Sequence, residues 1–165
     1  MDVSVATDAD ARAIVALRAS VADDLSRRYG QRPPCPTEAG VLRGIRTSRA
    51  MVVRNGTKII ATLRLATKKP WAISIDYFAR VPRPLYLADM AVEPSHQGRG
   101  VGRRLVDAAI SVARAWPGDA IRLDAYDAEH GAGGFYAKCG FREVGRATYR
   151  KIPLIYYELL LHPPG

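Results

Sequence analysis

Residues 90–105 read MAVEPSHQGRGVGRRL, and the centre of that run, QGRGVG at 97–102, sets three glycines at alternate positions where an amphipathic stretch begins. The run in front of it, PLYLADMAVEP at 84–94, is rich in residues that suit a strand and ends at Pro94. Behind it, Val101, Leu105, Ala108, Ala109, Val112 and Trp116 fall on one helical face, and Pro117 and Gly118 stop the pattern. A glycine-rich turn between strand and helix is an anion site by construction. The first N–H groups of a helix have no partner inside it, and the dipole is positive there. Glycine lets that backbone come close to a phosphate, and Arg99 and Arg103 add charge. The motif is not a Walker loop, since no glycine is followed by Lys and Ser or Thr. It is not a dinucleotide fingerprint either, because the third glycine would fall on Arg103 or on Leu105.

Upstream of this unit, MVVRNGTKIIATLRLA at 51–66 reads as a hairpin, with Asn55 and Gly56 as the pair that suits a type I′ turn. Val3 and Val5 suggest a short first strand. Thr7 or Asp8 can cap a helix carrying Ile14, Leu17, Val21 and Leu25 at helical spacing. The prolines of GQRPPCP at 30–36 forbid a continuing helix, and a weaker helix follows near 37–47. Prolines and aromatics break any pattern from 67 to 84. Downstream, AIRLDAY is a strand, GAGGFYAKCG a short helix stopped by Gly140, and FREVGRATYR with PLIYYELLL two closing strands. The order is mixed α and β, with hairpins at both ends and a strand–helix–strand unit between them.

The chain has 165 residues, 48% hydrophobic and 25% charged, and the expectation is one globular domain over 1–165. Its net charge of +9 implies affinity for a polyanion: nucleic acid, membrane surface or a phosphate-bearing ligand. Cys35 and Cys139 show no metal-ligand or CxxC spacing and read as reduced, non-catalytic thiols. Acids stand in MDVSVATDADAR where a secretory signal would be basic, and no run approaches about 18 apolar residues, so a soluble cytoplasmic protein is expected.

MAVEPSHQGRGVGRRL, with GFYAKCGF at 134–141, resembles the acetyl-CoA-binding core of the GCN5-related N-acetyltransferases, the GNAT family. The family pattern there is Gln or Arg, two residues, Gly, one residue, then Gly or Ala, which Gln97, Gly100 and Gly102 match. The resemblance implies a mixed, mostly antiparallel sheet of about six to seven strands flanked by about four helices. It implies coenzyme A with its pyrophosphate on Gly98, Arg99, Gly100, Val101, Gly102 and Arg103, and its pantetheine arm along Met90, Ala91 and Val92. The reaction implied is transfer of acetyl from acetyl-CoA to a primary amine, by direct attack in a ternary complex, with no metal. Tyr136 then donates to the sulfur, the Val92 N–H polarises the thioester carbonyl, and Asp89 takes the proton of the amine. Asp89 is equally readable as a strand-end carboxylate paired with an arginine; Glu93, Tyr86 and Asp124 are other candidates for the base. His96 reads as a solvent-facing turn residue.

One departure is Glu129, which stands where relatives commonly carry an Asn that holds the cofactor arm; Asp127 or His130 can take its place. Gly133 and Gly134 weaken the short helix of the second motif. Asp23, Asp24, Trp71, Asp76, Tyr77 and Phe78 are candidates to line a pocket for a small-molecule amine. Neither a nucleic-acid nor a membrane partner is expected, and family habit suggests a homodimer through the last strands. Two other classes stay open: a basic nucleic-acid-binding module, which leaves both motifs unexplained, and a non-catalytic CoA-binding sensor, which dispenses with Tyr136 or Asp89.

Overall fold

A computed structural model describes residues 1–30 and 32–162. The helices are α1 (Ala11–Tyr29), α2 (Glu38–Thr47), α3 (Val101–Ala115) and α4 (Gly133–Lys138). The strands are β1 (Asp2–Val5), β2 (Arg49–Asn55), β3 (Lys58–Ala66), β4 (Pro84–Val92), β5 (Ala120–Tyr126), β6 (Arg142–Tyr149) and β7 (Ile152–Leu160). They form a seven-stranded sheet in the order β1-β2-β3-β4-β5-β7-β6. The pairs β1/β2, β2/β3, β5/β7 and β6/β7 are antiparallel, and β4/β5 is parallel, as the α3 crossover demands. This is the mixed, mostly antiparallel sheet with four helices that the resemblance implies. Among the described residues no helix is long and apolar enough to cross a membrane, and no group of three or more His, Cys, Asp or Glu could hold a metal ion.

Backbone contacts divide the chain into two compact units, Met1–Leu65 with Ala88–Ala109, and Ala66–Leu87 with the chain from Ile110 on. In the first, Ala11, Ile14 and Leu17 of α1 and Val41 of α2 meet Ala50, Val52, Ile59 and Ala91 in one buried cluster. Val21 packs at its margin, so the apolar stripe read in α1 is the face that carries this core. The helix starts later than Thr7 or Asp8 suggested, because residues Asp8–Asp10 form a 3-10 turn first. Asp10 Oδ2 accepts the Thr7 N–H at 2.9 Å and a bond from Arg54 Nη2 at 2.8 Å. The Arg54 bond, against the pull of burial, holds the Asp10 carboxyl below the usual range. At its other end α1 stops at Gly30, whose N–H donates to Ser26 at 2.9 Å. Thr37 Oγ1 accepts the Gly40 N–H at 3.0 Å and caps α2. The β2/β3 turn sits one residue later than expected. Asn55 pairs with Lys58, leaving Gly56 and Thr57 as the turn, and of these only Gly56 is left-handed, at φ 64°. A type I′ turn needs both central residues left-handed; Gly in the first position alone is the II′ pattern.

In the second unit Ile73, Phe78, Tyr86, Leu154 and Tyr156 form the buried cluster. Beside them lies a charge pair, Arg122 Nε and Glu158 Oε2 at 3.6 Å, with both side chains almost wholly buried. Arg122 also donates to Tyr86 Oη at 3.0 Å and to the Ala79 carbonyl at 2.7 Å, and the Ala79 N–H donates to Glu158 Oε1 at 3.3 Å. Tyr156 donates to the Ala72 carbonyl at 2.5 Å. Irregular backbone between β3 and β4 is thereby tied down at two alanines, which is why a stretch with no periodicity is ordered.

The β6/β7 turn, by contrast, is made by Arg150 and Lys151 at φ 48° and 68°, with neither Gly nor Asn to relieve the conformation. Replacing Arg150 and Lys151 with Asn-Gly is therefore expected to stabilise the protein by about 1–2 kcal/mol, read as a higher urea midpoint at unchanged m-value. An unchanged or lower midpoint would contradict the strain.

Candidate functional site

In the first unit the site begins with a break in β4. Asp89 lies in the strand at φ 57°, a left-handed conformation that Asp tolerates better than most residues. The register of β4 with β5 runs over Pro84–Tyr86 only. Beyond the kink the strand is secured toward β3, where Ile60 is an extra residue in the β2/β3 ladder and its carbonyl accepts the Glu93 N–H at 2.8 Å. Met90, Ala91 and Val92 thus lie on a segment that has turned away from its first register.

The loop that follows is braced from within. The Glu93 carboxylate accepts the Ser95 N–H at 3.1 Å and a bond from the Ser95 hydroxyl, and lies 3.0 Å from His96 Nδ1. The Ser95 hydroxyl first, and His96 second, hold its carboxyl below the usual range. His96 is accordingly half-buried against Glu93 and not the solvent-facing residue expected. Gln97 folds back, donating from Nε2 to the Val92 carbonyl at 3.0 Å. Gly98 and Gly100 are left-handed, at φ 75° and 82°, and a Cβ added to either meets no atom within 4 Å. Backbone conformation, not crowding by the protein, is what demands glycine there. The Gly100 carbonyl accepts the Arg104 N–H at 3.0 Å and closes the first turn of α3. Val101, Gly102 and Arg103 form the first turn of the helix, at the positive end of its dipole. Arg99 is exposed beside them; Arg103 Nε lies 3.1 Å from Asp107 Oδ1, so part of its charge is balanced one turn on.

Asp89 is an ion-paired residue. Arg64 Nε lies 2.5 Å from Oδ2 and Arg18 Nη2 lies 3.4 Å from Oδ1, so both oxygens face guanidinium donors. Neither arginine was singled out from the sequence. A signal existed for Arg18, which interrupts the apolar stripe of α1 between Leu17 and Val21; Arg64 occupies an ordinary strand position and gave none.

Tyr136 belongs to the second unit. It is buried in α4, edge-on to Phe135 at 5.3 Å and Phe141 at 5.8 Å. Burial, with the charge of Asp124 second, pushes its phenol well above the ordinary range. Asp124 is the cross-strand partner of Tyr156 on the β5/β7 ladder. The glycines expected to weaken α4 do not prevent it. At Gly133 a Cβ would stand 2.5 Å from the Tyr157 hydroxyl, so close packing requires that glycine. Glu129 is exposed. Of its two suggested stand-ins, Asp127 lies 3.5 Å from Arg146 and His130 packs on the Tyr126 ring at 5.4 Å.

The acceptor candidates separate. Asp23 pairs with Arg32, and Asp24 with Arg27 and Arg28. Phe78 is a core residue under the Arg122 guanidinium, 5.1 Å from its ring centre. Trp71 and Tyr77 are exposed. Tyr86, weighed as a base, accepts from Arg122 in the buried network.

A family model described as Acetyltransferase (GNAT) family matches residues 18–141. Among solved structures the chain is similar to an N-acetyltransferase from Staphylococcus aureus Mu50, at 16% identity and TM-score 0.74, covering 98% of each chain. It is similar to an aminoglycoside 6'-N-acetyltransferase complexed with coenzyme A, at 15% identity and TM-score 0.75, over 100% of this chain and 99% of that one. A third is the ribosomal-protein-S18-alanine N-acetyltransferase from Escherichia coli, at 15% identity and TM-score 0.74, over 99% and 96%. Identities this low speak to fold alone. Among curated proteins none matches this sequence.

The kink gives a stability test. Asp89→Val puts a β-branched side chain at positive φ and is expected to destabilise the protein by about 1–2 kcal/mol more than Asp89→Asn, which loses the same charges but tolerates the conformation. Urea denaturation of the two variants measures the difference; equal losses would show that the ion pairs, not the kink, require Asp89.

Proposed function

The chain belongs to the acetyltransferase (GNAT) family, and from that premise we propose that it is an N-acetyltransferase carrying an acetyl group from acetyl-CoA to a primary amine of a small molecule, by direct attack in a ternary complex. The observation that carries this reading is the turn with Gly98 and Gly100 left-handed that opens α3. It stands at the positive end of a 15-residue helix, and a Cβ added at either glycine meets no atom within 4 Å. These residues fit a pyrophosphate: Gly98 to Arg103 would hold it through their amides, with Arg99 adding charge. The backbone of Met90, Ala91 and Val92 would take the pantetheine arm as a strand takes a neighbour. Bound there, acetyl-CoA supplies an activated acyl group as a thioester.

The remaining work falls to side chains and one amide. The Val92 N–H serves as the donor that polarises the carbonyl under attack. Tyr136 serves the departing sulfur. Its phenol is held above the ordinary range while a thiol titrates near about 8.5, so the phenol keeps its proton and acts as a hydrogen-bond donor, not as a full acid. For the base we take Asp124, whose charge acts on the Tyr136 phenol, in place of Asp89, both of whose oxygens face Arg64 and Arg18.

Calorimetric titration with acetyl-CoA is expected to show one saturable site that survives raised salt; weak, nonsaturable binding abolished by salt would sink the proposal. Gly100→Ala is expected to weaken that site about tenfold through left-handed strain. Tyr136→Phe and Asp124→Asn should each lower kcat by about 10²-fold with cofactor affinity nearly unchanged. Because Tyr136 is held protonated, the pH–rate profile of the native enzyme should show no fall over about pH 8–10 that Tyr136→Phe removes.

A further inference from the structure

The surroundings of Asp89 hold two positive charges against one negative. Arg64 Nε lies 2.5 Å from one carboxylate oxygen and Arg18 Nη2 3.4 Å from the other. Only 24% of the Arg18 side chain and 31% of Arg64 is exposed, so water screens the surplus charge incompletely. Elsewhere in this unit carboxylates such as Asp8, Asp10 and Asp23 each take one arginine. Asp24 also takes two, but those are 75% and 54% exposed and lie on an open helix surface.

Arg18 is placed at some expense to the fold, since it occupies a position in the apolar stripe of α1, next to Leu17, where a hydrophobic residue would extend the core. Arg64 runs against α2 at Gly44, where an added Cβ would stand 3.4 Å from its Cδ. Each guanidinium presents a planar fork of five N–H donors, suited to a carboxylate, and uses one nitrogen on Asp89. Asp89 itself stands at the kink of β4, one residue before the segment Met90–Val92 read above as the docking edge for the cofactor arm.

We infer that Arg18 and Arg64 recognise an acidic group on the acceptor, so that the amine acetylated by this protein also bears a carboxylate, as an α-amino acid does. Asp89 then orients the two forks and lowers the local charge to one unit, which one acceptor carboxylate neutralises. The inference rests on the acetyltransferase reading and names its substrate class.

The test compares matched acceptors on the native protein. A panel of L-amino acids is assayed against the corresponding amino acid amides, with CoA release as the readout and acetyl-CoA affinity measured in parallel. The acid of at least one pair is expected to exceed its amide in kcat/KM by about tenfold or more. Arg18→Gln and Arg64→Gln should each move that ratio toward one through KM, and Arg18→Lys and Arg64→Lys should restore part of it. Amides equal to or better than their acids would overturn the inference, as would acetyl-CoA binding with no turnover of any acid. Failure to bind acetyl-CoA at all would remove the functional reading and this inference together, and so tells the two failures apart.

Discussion

One backbone constraint sets the path of β4 into the loop that follows. It is a single left-handed residue, Asp89, after which the chain is held to the β3 side through Glu93 and Ile60. Left-handed backbone inside a strand is costly for any residue but Gly, and Asp and Asn bear it best. Asp at the kink thus serves backbone conformation as well as charge. Two arginines, Arg18 and Arg64, face it, and the loop toward α3 begins only four residues beyond Glu93, at Gln97.

The loop is braced from within, since Glu93, Ser95, His96 and Gln97 spend their polar atoms on one another and on Val92. In the function proposed above such a braced turn is preorganised for an anion, and recognition rests on backbone direction more than on the abundant arginines.

Much of the fold was legible because period and punctuation agreed. The stripe of α1, the stop at Gly30, the crossover through α3 and the glycine turn all carry local signals that tertiary packing did not overrule. What was not legible depended on partners distant in sequence. The kink at Asp89 leaves no mark in PLYLADMAV, because Asp is common in many settings, and its pairing with residues 71 and 25 positions away has no periodicity to betray it. The turn at Arg150 and Lys151 was invisible for the opposite reason, since its residues contradict the usual turn chemistry. The burial of Phe78 had no signal either, because an aromatic in an irregular stretch carries no period and Arg122, which lies over it, is distant in sequence.

The ties at Ala72 and Ala79 bear on how this protein can change over generations. Both are made by main-chain groups: the carbonyls of Ala72 and Ala79 accept from Tyr156 and Arg122, and the Ala79 N–H reaches Glu158. Trp71 and Ile75, in the same segment, stand largely in solvent and are no part of the anchor. Mutation can therefore rewrite Trp71 and Ile75 while the path stays fixed, since the anchor reads the backbone and the buried Ile73 and Phe78. Change at these exposed positions is in that way uncoupled from selection on folding, so substitutions can be sampled here without crossing a stability threshold.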